Sequence, residues 1–231
     1  MNKIASASHL LRFLVNGRWR KGFYKLAGYG IAGVLGALIV TWLFHFFVLD
    51  NLMTVEKGLL YRSGQMSDET LQATAARLHL ASIVNLRGAN PDAAWYQSEI
   101  KMAESLHLHH YDIRMGSRSF PSPEALQQLT DVFEKGPYPM LLHCYRGADR
   151  SGLASAIYLI ECRGETSKEA AGQLSLWYGH IPLFGYERMN QFLKFYHNNR
   201  QEANIAEWSD TDYPRLFASR NQSFVLEHFN P

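Results

Sequence analysis

Met140-Leu141-Leu142-His143-Cys144-Tyr145-Arg146-Gly147-Ala148-Asp149-Arg150-Ser151-Gly152 reads as strand, loop and helix start in immediate succession. Met140 to His143 is a short apolar run suited to a buried strand. Five residues separate Cys144 from Arg150, and an apolar helix is expected from Ser151 to about Glu161. A loop in that position turns successive backbone N–H groups inward, and the helix behind it adds its positive N-terminal end. The result is a cradle for a tetrahedral dianion, lined by Tyr145, Arg146, Gly147, Ala148, Asp149 and Arg150.

The side chains in this stretch suit one chemistry. The cradle favours the thiolate form of Cys144, which makes it a nucleophile. Gly147 permits backbone angles closed to other residues. The planar fork of Arg150 can grip two equatorial phosphoryl oxygens. Ser151 can donate to the sulfur as it leaves a covalent intermediate, and His143 is expected to orient the loop from behind. A Cys and an Arg at this spacing arise often by chance, and a lone buried Cys is usually a small hydrophobe. The reading rests on the conjunction of His143, Gly147, Ser151 and Gly152 with a strand before and a helix after.

A leaving oxygen must also be protonated, and two carboxylates compete for that role. Asp149 lies inside the loop beside Arg150; Asp112 ends a strand ahead of the loop 114–121. Proximity favours Asp149. Each has a plainer role as well, Asp149 as a partner fixing Arg150 and Asp112 as a strand-end carboxylate. Arg114 and Arg118 in the loop, with Arg146 in the cradle, supply charge for a substrate bearing more than one phosphate, or are simply solvated.

Working outward, strands are expected at Leu59–Ser63, Ile83–Leu86 and His109–Ile113, alternating with helices at 68–78, 91–106 and 122–134. Ser67 and Ser122 are placed as N-caps, with Pro123 at the first helical position. Further helices fit Ser167–Tyr178 and Gly185–Asn199, while the final thirty residues have little periodicity and are expected to wrap the surface or stay partly loose. Alternating strands and helices give an α/β fold: a central, mostly parallel sheet flanked by helices.

At these residues the chain resembles the protein tyrosine and dual-specificity phosphatase superfamily, most nearly the bacterial tyrosine/serine phosphatases with a Cys-x-x-Gly-x-Asp-Arg loop. Supporting blocks are Tyr61-Arg62-Ser63-Gly64-Gln65 and Val84-Asn85-Leu86-Arg87, and the likeness spans roughly residues 56 to 200. It implies the cysteine-dependent phosphatase fold, phosphomonoester hydrolysis through a phosphocysteine, no metal or other cofactor, and Asp149 as the acid. The commoner dual-specificity pattern places an Asp where this chain reads Met115-Gly116-Ser117. Arg87, closing the second block, joins the candidate site residues.

Residues 26–49 are almost wholly apolar and carry no Asp, Glu, Lys or Arg. As a helix, 24 residues rise about 36 Å, enough to cross a hydrocarbon core of roughly 30 Å, so one transmembrane anchor is expected ahead of the domain. Phe46-Phe47-Val48-Leu49 offers no small-x-small cleavage site. Six basic and no acidic residues precede Asp50, which keeps segment 1–25 in the cytoplasm of a bacterium and sends the domain (50–200, with a tail over 201–231) to the periplasmic side of the inner membrane. From position 50 onward, 17 basic residues face 21 acidic ones, which excludes a basic nucleic-acid-binding domain. Gly28, Ala32 and Gly36 stand four apart, a spacing that lets two spans approach closely and leaves the oligomeric state open. Cys144 and Cys162 are the only cysteines, and no metal-ligand spacing occurs.

With about nine residues between Leu49 and the first expected strand, the site is tethered within roughly 30 Å of the membrane. That favours a lipid or glycolipid phosphate as substrate. A phosphotyrosine or dual-specificity activity on phosphoproteins is the alternative, and a catalytically silent phosphate-binding scaffold is a further one.

Overall fold

The computed structural model describes residues 17–48 and 50–220, with side chains described at 22–43 and from Asp50 onward. Most of the expected basic N-terminal segment (residues 1–16), Leu49 and the last eleven residues lie outside the described residues. The chain divides after Phe44 into two units. The first is dominated by helix α1 (Gly17–Val48). Its stretch Gly22–Leu43 is long and apolar enough to cross a membrane, and none of it is buried against protein. This stretch overlaps the expected span 26–49, whose residues 44–49 have no described side chains.

In the second unit, strands β1 (Met53–Glu56), β2 (Leu60–Ser63), β3 (Ser82–Asn85), β4 (His109–Asp112) and β5 (Met140–His143) form one sheet in the order β1-β2-β5-β3-β4. All pairings are parallel except β1 with β2. Strand β1 was not expected from the sequence. Its four residues sit in what reads as a linker, and only the hairpin closed at Gly58 (φ +79°) reveals it.

Alternation along the strands sends side chains to opposite faces. Leu60, Val84, Met140 and Leu142 pack with Leu126, Leu129, Leu153 and Ile157 from α4 (Pro123–Lys135) and α5 (Asp149–Arg163). Tyr61, Ile83 and Leu141 face α2 (Asp68–Leu78) and α3 (Ala94–Ser105), meeting Leu71, Ala75 and Ala103. Both serine caps form: Ser67 accepts from the Thr70 amide and Ser122 from the Ala125 amide.

Two expectations are corrected. The single helix over 167–178 is instead a short α6 (Ser167–Ala170) followed by 3₁₀ turns at Ala171–Gln173 and Leu176–Tyr178. The reason lies at Gln173, whose carbonyl and side-chain oxygens both accept from the buried Arg62 guanidinium, at 2.7 and 3.0 Å, and so leave the helical ladder. The final stretch is not loose over its described part. After α7 (Arg188–Asn199), α8 (Ile205–Asp210) and a helix over 213–220 bury Ile205, Trp208 and Tyr213 in the main core. Trp208 stacks on Tyr213 at 4.5 Å, and the Tyr213 hydroxyl donates to the Pro121 carbonyl.

Candidate active site

The loop after β5 is held by its carbonyls. The Gln65 amide donates to the Tyr145 carbonyl at 3.3 Å, and Asn51 Nδ2 to that of Arg146 at 3.1 Å. Arg62 Nη2 donates to the carbonyls of Gly147 and Ala148 at 2.9 and 2.8 Å. With four successive carbonyls tied outward, the amides of the same peptides face the interior, as an anion cradle needs. Gly147 (φ +68°) is required twice over, because a Cβ there would also meet the Gly64 nitrogen and the Ser63 carbonyl carbon at 2.5 Å. Gly152 is similarly confined by Arg62, Gln173 and Leu174, each at 2.9 Å from the position of a Cβ.

Arg62 is completely buried on β2 and lies over the Tyr178 ring at 4.6 Å. Burial draws its pKa down to about 10, countered by the negative potential of Cys144, Tyr178 and Asp149, so it stays charged at neutral pH. It is a structural cation beneath the cradle, a role the sequence reading did not give it.

Cys144 sits at the floor of the loop, 3% exposed. Burial works against its thiolate. Arg150, the Ser151 amide and hydroxyl, and the Arg146 amide outweigh that effect and hold the pKa below the ordinary thiol value. Ser151 Oγ lies 3.6 Å from Sγ. Arg150 Nε is buried and has no hydrogen-bond partner among the described residues. Above Cys144 opens a cleft of about 560 Å³, to which Arg87, Tyr145, Arg146, Ala148, Asp149, Arg150, Ser117 and Tyr186 contribute.

The two candidate acids occupy different settings. Asp149 lines the cleft and accepts from His180 Nδ1 at 2.7 Å; the other ring nitrogen of this buried histidine lies 2.6 Å from Asn190 Oδ1. Asp112 does not line the cleft. One of its oxygens takes the Asn85 amide at 2.7 Å and the other a short hydrogen bond from the Tyr96 hydroxyl.

Of the expected arginines, Arg87 reaches the cleft, its guanidinium stacked over Trp95 at 3.5 Å and bonded to Gln65 at 3.0 Å. Burial, then the nearby Arg150, lowers its pKa. Arg114 turns away to the Ala89 carbonyl, while Arg118 reaches the Tyr186 hydroxyl at the rim. His143 is behind the loop as expected, but it is one part of a cluster. Glu99 accepts from His143 at 3.1 Å, from His110 at 2.9 Å and from Gln65 at 2.5 Å. Burial alone would raise the Glu99 pKa; these bonds reverse it and hold the carboxyl at about 2.

Sequence reasoning passed over Asn51, Arg62, Glu99 and His180. A signal existed for Arg62 alone, as the single charged residue of a strand otherwise apolar or small. Among the described residues no group of acidic, histidine and cysteine side chains is arranged to hold a metal ion.

A model of the tyrosine phosphatase family matches residues 48–163, half of the chain and the whole loop with it. Among solved structures, the core catalytic domain of the PP-IP phosphatase SIW14 from S. cerevisiae superposes with a TM-score of 0.53 at 20% identity, covering 74% of this chain and 93% of that one. TpbA from P. aeruginosa gives a TM-score of 0.52 at 19% identity, covering 69% and 88%. Comparison with curated protein sequences returns no match. With Cys144, Arg150 and the strand–loop–helix geometry in place, and a family model over half of its length, the chain belongs to the tyrosine phosphatase family and is a cysteine-dependent phosphatase, a hydrolase of phosphate monoesters.

Proposed function

We propose that this phosphatase is anchored in the bacterial inner membrane by the apolar segment 26–49, works on the periplasmic side, and hydrolyses a lipid or glycolipid phosphate through a phosphocysteine. Cys144 Sγ attacks phosphorus, the bond to the leaving oxygen breaks, and Asp149 gives that oxygen its proton. Arg150 and the amides of residues 145–150 hold the equatorial oxygens as charge gathers on them. Asp149, now ionised, then takes a proton from the water that attacks the phosphocysteine. Ser151 donates to the departing sulfur as free phosphate forms. Asp149 is preferred as acid because it borders the cleft, whereas both oxygens of Asp112 are occupied.

The observation that carries the substrate class is Asn51. The apolar helix ends at Val48, and three residues later the Asn51 side chain is bonded to the loop carbonyl of Arg146. Three residues span at most about 11 Å, a much shorter tether than the nine-residue link read from the sequence. A substrate phosphate at the membrane surface is therefore within direct reach. Arg87 and Arg146 in the cleft favour a second feature of that substrate, a headgroup with more than one phosphate.

The test is phosphate release by the full chain in vesicles, measured on lipid phosphates, soluble inositol phosphates and phosphopeptides, with Cys144→Ser alongside. The lipid phosphates are expected to turn over fastest, and Cys144→Ser to lower every rate by at least about 10³-fold. Fastest turnover of phosphopeptides would replace the lipid reading with a phosphotyrosine one; a Ser variant keeping a tenth of the rate would remove the phosphocysteine.

A further inference from the structure

Ile181, at the border of the cleft, opens a tight turn whose next residues lie outside the cleft lining and present apolar side chains outward. Ile181, Leu183 and Phe184 are 49%, 55% and 86% exposed, and Leu176 and Trp177, just before them, are also largely exposed. The turn is built rather than slack. The Leu183 amide donates to the Ile181 carbonyl at 2.8 Å, the Tyr186 amide to the Leu183 carbonyl at 3.1 Å, and the Gly185 amide to Glu187 at 2.8 Å. Phe184 adopts φ +56°, a left-handed conformation that bulky side chains avoid. A large apolar ring is thus held outward on a strained backbone at the edge of an active site, where strain tends to be kept for a function.

Two further contacts bear on its surroundings. Arg118 lies along this turn: a Cβ on Gly185 would stand 3.3 Å from its side chain, and its guanidinium bonds the Tyr186 hydroxyl at 3.1 Å. An exposed arginine flanking exposed Phe, Leu and Ile matches the boundary between anionic headgroups and acyl chains. The second contact is again Asn51. Its Nδ2 donates at once to the Arg146 carbonyl of the phosphate loop and, at 3.0 Å, to the Tyr178 carbonyl of the segment leading into the turn. One side chain, three residues from the end of the apolar helix, therefore joins the cradle to the apolar segment.

We propose that the turn 181–184, with Arg118 beside it, seats in the headgroup layer of the same bilayer that holds α1, so that the cleft opens onto the lipid surface and draws its phosphomonoesters from it. This deepens the proposed function and rests on its reading of α1 as an anchor. The surface is assigned to lipid rather than to a protein partner because the covalent tether brings the bilayer to it without a separate binding event.

The experiment uses the full chain carrying Cys144→Ser and Cys162→Ser, reconstituted in phosphatidylethanolamine–phosphatidylglycerol vesicles. A nitroxide is placed at Phe184→Cys or, as a reference at the opposite end of the sheet, at Lys135→Cys. Accessibility to oxygen, which partitions into lipid, is compared with accessibility to a water-soluble nickel chelate. At position 184 oxygen should be favoured about 10-fold relative to position 135. Equal preference for the chelate at both positions overturns the proposal. So does shielding of position 184 from both reagents, which would mean that a second copy or another protein covers the turn.

A catalytic arm separates this inference from the substrate reading. In the active chain, Leu183→Glu with Phe184→Glu should leave hydrolysis of a soluble aryl phosphate within about 2-fold while lowering that of vesicle-borne phosphatidic acid about 10-fold. A label found in lipid, together with an active unlabelled chain that ignores phosphatidic acid, supports the docking surface and removes phosphatidic acid as substrate. Hydrolysis of phosphatidic acid undiminished by the double substitution overturns the delivery role of the turn.

Discussion

Glu99 and Asp149 are both carboxylates held by histidine, one behind the phosphate loop and one inside it. Glu99 is 4% exposed and is bonded by His143, His110 and Gln65. Among the described residues the Asp149 side chain accepts one hydrogen bond, from His180, and it borders the cleft. The contrast shows how surroundings separate two chemically similar groups. A carboxylate saturated with donors keeps its charge and serves as a fixed brace. One bonded on a single side, with substrate space on the other, is able to exchange a proton.

The largest test of that division is Asp149→Asn. It should slow hydrolysis of alkyl phosphates by roughly 10²–10⁴-fold while affecting activated aryl phosphates little, since those leave without a proton. Asp112→Asn should leave both rates nearly unchanged; the reverse pattern in steady-state rates would transfer the acid to Asp112.

Next in size is the stability carried by Glu99. Its folded pKa of about 2 lies below the ordinary 4.5, so its contribution is fully present above pH 4.5 and is lost as pH falls toward 2. The difference corresponds to about 3 kcal/mol, or roughly 10²-fold in the folding equilibrium. Urea midpoints of wild type and Glu99→Gln should therefore differ most near neutral pH and converge as pH drops through 4. A constant gap across that range would mean the brace is not ionic.

The smallest expected effect is at His180. His180→Ala should lower the alkyl phosphate rate about 10-fold through misplacement of Asp149, and shift the pH profile of kcat, with the aryl phosphate rate kept. His180→Gln, which retains a donor toward Asp149, should recover part of the loss. Equal losses on both substrates would reduce His180 to a packing role.

Local signals were legible in the sequence, and long-range ones were not. Met140–His143 and Asp68–Leu78 were read with the bounds observed, because an apolar strand run and a serine cap announce themselves within a few residues. The cradle was legible because Cys144, Gly147 and Arg150 are contiguous. Arg62 binds carbonyls 85 and 86 positions away, Asn51 one 95 away, and Glu99 a histidine 44 away, and no local pattern marks such partners. The terminal segment is an intermediate case. Trp208, Tyr213 and Phe217 recur at intervals of four or five, a spacing that suits one apolar helical face although the stretch is too irregular to read as amphipathic.

The outward ties on the carbonyls of residues 145–148 have a consequence for how tolerant this enzyme is of change. Those ties come from Arg62, Gln65 and Asn51, on or beside the strand that pairs with β5, so the loop's shape is fixed when the sheet forms. Catalysis then requires no reordering of the loop at each turnover, and substrate binding energy is not consumed in arranging it. The same economy removes any independence between the two. Loosening of the loop is coupled to the sheet, and repacking of β2 is expected to disturb the reaction.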